Sequence, residues 1–158
     1  MHPAAYPDPE RLRAANINPA TGLATDYLNH YNEVAMLISS LVDMPDMGDA
    51  ILDWRPVGYP THFRISGFGE KGLAIAAWVL ASREVKEKFR AACADVESRI
   101  FHVQQQLSLN PDRTAEIAAE AGPIFERIAR LGGVINGGNA GPLLQQSAAQ
   151  DLVDSLFA

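Results

Sequence analysis

Between Ser82 and Leu109 the apolar residues Val85, Phe89, Ala92, Val96, Ile100, Val103 and Leu107 recur at steps of three and four. At 3.6 residues per turn that spacing holds one stripe on one side of a helix for about seven turns. A stripe of that length is stable only if other helices lie along it, so it commits the chain to lengthwise helix packing. Ser82 stands where an N-cap is needed, because its hydroxyl can accept a bond from a first-turn N–H.

The segments on either side follow the same period. Tyr27, Tyr31, Val34, Ile38 and Leu41 form one stripe, which predicts a helix over about 23–43 that Pro45 stops. Asp46 is expected to cap a short helix in "MGDAILDW", ended by Pro56, and another short helix is expected around Thr61 to Ser66. "LAIAAWVLA" is apolar on all sides and reads as a buried helix. Asn110-Pro111 supplies a cap and a first-turn proline for a helix through Ile117, Ala121, Ile124, Ile128 and Leu131. Gly122-Pro123 is expected to kink or split that helix, the in-phase stripe on both sides favouring a kink, and Gly132-Gly133 to end it. No pair of alternating runs around a hairpin turn is present. The expected fold is all-α, a single-domain bundle of four to five helices.

Four regions follow. Residues 1–20, with Pro3, Pro7, Pro9 and Pro19, read as an arm without secondary structure of its own. Residues 21–135 form the bundle, 136–147 a Gly-rich linker, and 148–158 a short amphipathic C-terminal helix.

The net charge of −6, with basic residues scattered, argues against nucleic acid, whose binding draws on concentrated Lys and Arg. No apolar run reaches the roughly 18 residues of a membrane span, and the start lacks the pattern of a secretory signal. The expectation is a cytoplasmic protein without a membrane partner. One cysteine, Cys93, allows no internal disulfide, and its place on the long stripe predicts a buried, inert thiol. Ser66 in "ISGFG" lacks the strand-turn-helix setting of a nucleophile elbow, and "GFGEKG" does not match a phosphate loop.

Two polar rows border the stripes. Asp26, His30 and Glu33 lie along one edge of the first long helix, and Asp95, Arg99, His102 and Gln106 along one edge of the longest. His62 in "YPTHF" is a third candidate. Should these edges meet, Asp26, His30, Glu33, His62 and His102 would supply imidazole and carboxylate ligands for a divalent metal or a small ligand, as facing helices do in metal-binding bundles. Against that, no Glu-x-x-His occurs and no two histidines share helical spacing. A histidine held beside a carboxylate for structural reasons competes with the ligand reading.

Phe101 points away from its stripe and suggests a further contact. So does the end of the chain, where Leu152, Val153, Leu156 and Phe157 form an apolar face. "SAAQDLVDSLFA" resembles the response-regulator-binding peptides of CheZ-type chemotaxis phosphatases and of the flagellar switch protein, through Gln150, Asp151, Leu152, Val153, Asp154, Leu156 and Phe157. The resemblance spans about nine residues and implies a tethered helix that docks on a receiver domain. It does not extend to phosphatase activity, because the Asp-x-x-x-Gln spacing of those enzymes is missing. "NINPATGLATDYLNHYNEVAMLI" is also similar to the start of a group of small bacterial helical proteins, which implies no activity. The functional expectation is a non-enzymatic protein acting through protein contacts, by self-association and by a regulatory partner at the tail. The competing expectation is a metal- or small-ligand-binding bundle.

Overall fold

The computed structural model describes residues 6–138. The linker beyond 138 and the C-terminal segment with Leu152, Val153, Leu156 and Phe157 lie outside the described residues. The fold is all-α. Its helices are α1 (Pro9–Ala14), α2 (Asn29–Ser39), α3 (Gly48–Asp53), α4 (Tyr59–Ile65), α5 (Lys71–Leu80), α6 (Arg83–Leu109), α7 (Thr114–Ala119) and α8 (Ala121–Ile135). Single 3₁₀ turns, Thr25–Leu28 and Pro45–Met47, lead into α2 and α3. Among the described residues the only β-pairing is the isolated bridge Ile17–Ala24. No described helix is long and apolar enough to cross a membrane.

The long stripe behaves as its period requires. Ser82 caps α6 by accepting the Val85 N–H at 3.1 Å, and Phe89, Val96, Ile100, Val103 and Leu107 are buried. α6 packs most extensively on α8, and α8 also packs on α2, so the two longest stripes meet around one central helix. α2 and α6 touch each other much less.

Several expectations need correction in their details. The N-terminal arm is not without structure. Asp8 accepts the Glu10 N–H at 3.1 Å, Pro9 takes the first helical position, and Asn16 closes α1 in the left-handed conformation at φ 62°. The Asn16 and Ile17 N–H groups then bond to the carbonyls of Arg13 and Leu12, the paired bonds of a Schellman motif. Leu12 and Ile17, the two apolar residues that accompany such a motif, are both buried in the core.

At the other end, α8 does not stop at Gly132-Gly133 but runs to Ile135. The buried side chain of Ile135 extends the apolar stripe, and burying it outweighs the roughly 1 kcal/mol that each helical glycine costs. The helix ends instead at Gly137 (φ 86°), with the Gly137 and Gly138 N–H groups bonded to Val134 and Gly133. Pro123 splits α7 from α8 at the single residue Glu120 instead of kinking one helix, because it has no N–H and its ring crowds the preceding turn. Ile117, Ala121, Ile124, Ile128 and Leu131 stay buried across the break. Asn110 ends α6 rather than capping α7, and Asp46 makes no side-chain cap to α3.

A last correction concerns α5, which is not buried all round. It packs chiefly on α4 at the edge of the bundle, so Leu73, Ala74, Ala77 and Trp78 face inward while Ala76 and Val79 face outward. Val79 is 65% exposed, and on the neighbouring α4 Ile65 is 74% exposed.

The arm and the end of α8 are tied together. Thr21 Oγ1 donates to the Ile135 carbonyl at 2.5 Å, and Asn18 Oδ1 accepts the N–H groups of Ala20 and Thr21. Leu12 is therefore core, and Leu12→Ala should lower unfolding free energy by about 2–5 kcal/mol in urea titration, the range for large-to-small core substitutions. A change under about 0.5 kcal/mol would mean that the arm is peripheral.

Candidate functional site

Tyr27 and Tyr31 sit one turn apart on the buried side of the Thr25–Ser39 segment, so each hydroxyl needs a partner away from water. The Tyr27 hydroxyl donates to the Val57 carbonyl at 2.5 Å, and the Tyr31 hydroxyl donates to Glu97 Oε2 on α6 at 2.6 Å. The two phenolic oxygens lie 3.2 Å apart. With both protons directed elsewhere, this is the longest of the three contacts. The Tyr59 hydroxyl accepts the Ala24 N–H at 2.8 Å.

Around these hydroxyls the rings form a continuous layer. Tyr27 touches the rings of His30, Tyr31, Tyr59, His62 and Phe89 at centroid distances of 5.3–5.9 Å. Trp78 of α5 stacks on Tyr59 at 4.9 Å, and Phe89 stands edge-on to both Tyr59 and Trp78.

The outer side of this layer is a cleft of about 510 Å³ between the Pro56–Pro60 segment, α5 and α6. Tyr27, Tyr59, Trp78 and Phe89 provide its aromatic lining, and Arg90 and Glu97 its charged groups. Cys93 lies between those two charges on α6. Burial pushes its thiol up to about 12, although the Tyr31 hydroxyl beside it pulls the other way. Burial also raises Tyr27, Tyr31 and Tyr59 well above the ordinary phenol value. At neutral pH the cleft therefore presents neutral hydroxyls and a neutral thiol. Its cysteine is not poised as a nucleophile.

The predicted site residues divide. Asp26, His30 and His62 come together: His62 Nε2 lies 3.2 Å from Asp26 Oδ2, and the two imidazole centroids are 6.3 Å apart. Glu33 is exposed on α2 and takes no part in this contact, and His102 is exposed on α6 beside Asn110, Arg113 and Glu116. The His102 row faces α7 and α8, where Asp95 meets Arg127 at 3.3 Å and Arg99 meets Glu120 at 3.8 Å. The two rows diverge, since His30 faces the link before α4 and His102 faces α7. Among the described residues no three His, Cys, Asp or Glu side chains converge on a metal-sized position. Phe101 is exposed, as its angle predicted.

His30 has a structural task. Its Nε2 accepts the Val57 N–H at 2.8 Å, its ring stacks on Trp54 at 4.8 Å, and its backbone carbonyl accepts the Trp54 Nε1–H. Val57 is thus held at both polar groups, by His30 at its N–H and by Tyr27 at its carbonyl, and Val57 is part of the cleft wall.

Accepting that bond requires an unprotonated Nε2. Burial, and after it the neighbouring His62, lower the His30 pKa from 6.5 to about 4. In that interval the unfolded chain binds a proton that the folded chain does not, so stability falls as pH is lowered. The urea midpoint should therefore drop between pH 6.5 and about 4 and stop responding to this group below that. His30→Gln should flatten the slope. An unchanged slope in the variant would show that other groups produce it.

Sequence reasoning missed Glu97, Tyr59, Phe89 and Arg90. The available signal was the set of tyrosines on buried stripes, each of which requires a polar partner. The row Phe89, Cys93, Glu97 at four-residue steps offered one on the longest helix. No protein-family model matches the chain, and neither the curated proteins nor the solved structures contain a significant match to it.

Proposed function

We propose that this chain is a small-molecule-binding helical domain whose site is the cleft between the Pro56–Pro60 segment, α5 and α6. One observation carries the reading: a concavity of about 510 Å³, walled by four aromatic rings, with one cation and one carboxylate at its edge. Such sites combine apolar lining with a few fixed polar groups, within a volume range of about 300–1,000 Å³. The reading keeps the ligand-binding alternative from the sequence but moves it from the histidine rows to the tyrosines. It calls for non-covalent binding, because the thiol and the phenols stay protonated.

Gly58 offers a clean test. It lines the cleft, its backbone is extended, and a Cβ placed on it would meet nothing within 4 Å. Gly58→Phe should occupy the cleft without straining the fold. In ligand-observed NMR, small aromatic fragments should bind the native chain and lose binding in Gly58→Phe at an unchanged melting temperature. Equal binding to both would remove the cleft from consideration.

Protein contact is the second reading, supported by the exposed apolar faces of α4 and α5. Ile65 and Val79 stand on adjacent helices and give a second copy of the chain an apolar surface to cover. Residues 148–158 would add a contact with a regulatory partner, as their resemblance implies. Sedimentation velocity should then show a concentration-dependent dimer that Val79→Glu converts to monomer. A monomer at all micromolar concentrations would overturn self-association through this face.

A further inference from the structure

We infer that the cleft takes an aromatic carboxylate with a hydrogen-bond donor at the far end of its ring, anion toward Arg90 and donor toward Glu97. This rests on the cleft being the ligand site and adds the chemical class of the ligand.

The charges at the start of α6 are unevenly matched. Arg83 pairs with Glu87 at 2.9 Å and Lys88 with Glu84 at 3.1 Å, each four residues apart along the helix. Lys86 and Arg90 have no carboxylate within ion-pair distance among the described residues. Both stand over the Trp78 ring instead, at 5.2 Å and 5.5 Å from its centroid. Two like charges four residues apart on one helix face oppose each other. An anion at the Arg90 side of the cleft would relieve that opposition while meeting a charged donor.

The other end has the opposite polarity. Glu97 is seven residues beyond Arg90, about 10 Å along the helix at 1.5 Å per residue. Oε2 is held by the Tyr31 hydroxyl, and Glu97 has no cationic partner among the described residues. A carboxylate only accepts, so a ligand group arriving here must donate. On α6 Cys93 lies between the two ends, and Tyr59 and Phe89, whose rings meet at 89° with centroids 5.5 Å apart, line the cleft beside them. This arrangement leaves aromatic face and edge to a planar ring. Entry the other way round would set the anion against Glu97 and the donor against Arg90, which only donates. Polarity and length together therefore select the ligand.

Calorimetry on the full chain tests this with para-aminomethylbenzoate, benzoate and benzylamine as probes. The native protein should bind para-aminomethylbenzoate at least about tenfold more tightly than either of the others, the scale of one charge-assisted hydrogen bond. Arg90→Gln should abolish its advantage over benzylamine. Glu97→Gln, which keeps an acceptor for Tyr31, should abolish its advantage over benzoate. Equal affinity for all three probes, or a preference that survives both substitutions, would overturn the ligand class and leave the cleft as a site. If no aromatic probe binds in a way that Gly58→Phe prevents, the cleft reading itself fails.

Discussion

The bond from the Tyr27 hydroxyl to the Val57 carbonyl joins parts of the chain that lie 30 residues apart. Tyr27 lies on the entry turn to α2, while Val57 belongs to the irregular link between α3 and α4. A buried phenol without a partner is disfavoured by about 1–3 kcal/mol, so the link is drawn to the one place where its carbonyl can accept. Once there, its N–H reaches His30, Tyr59 and Phe63 of α4 enter the core, and Trp78 finds the Tyr59 ring to stack on. The cleft is the outer surface of that assembly. Its walls are determined by what the tyrosine hydroxyls require inside.

The fold was legible wherever burial alone determined the outcome. The stripes of α2, α6 and α7–α8 could be read because a side chain on the wrong side of a helix would lose its burial, whatever its neighbours were. The arm was misread for a reason visible in its own residues. Asp8, Pro9 and Asn16 are a cap, a first-turn proline and a left-handed residue, but four prolines in the first 20 residues suggested irregular chain. Fewer than two turns of helix separate the two caps. Helices that short are held by tertiary contacts, here Leu12 and Ile17 in the core, and such contacts are not local in sequence. α5 shows the converse, since composition reports that a helix is apolar and says nothing of whether a neighbour covers each face.

The candidate site was less legible, because its elements meet only through tertiary structure. Asp26 and His62 are 36 residues apart, and Tyr31 and Glu97 are 66 apart. The helical wheel placed His30 correctly at the edge of a buried face but could not supply its partner, which is a backbone N–H. Backbone groups of loops are invisible to residue-type reasoning, and polar rows on helices therefore read too readily as ligand sets. His102 illustrates the same limit. Its row exists, but the rotation of α6 against α8 turns it toward Arg113 and Glu116.

The electrostatics of the cleft keep its cysteine protonated. A reactive cysteine needs a neighbouring positive charge or helix N-terminus to hold a thiolate, and Cys93 lies in the interior of α6 among aromatic rings. Arg90 is one turn away but is drawn over Trp78, so its charge is spent on the ring face and on solvent. Glu97, one turn on the other side, disfavours a thiolate further, in line with a thiol pushed up to about 12. Arg90 and Glu97 thus leave a cation and a carboxylate on either side of a protonated thiol.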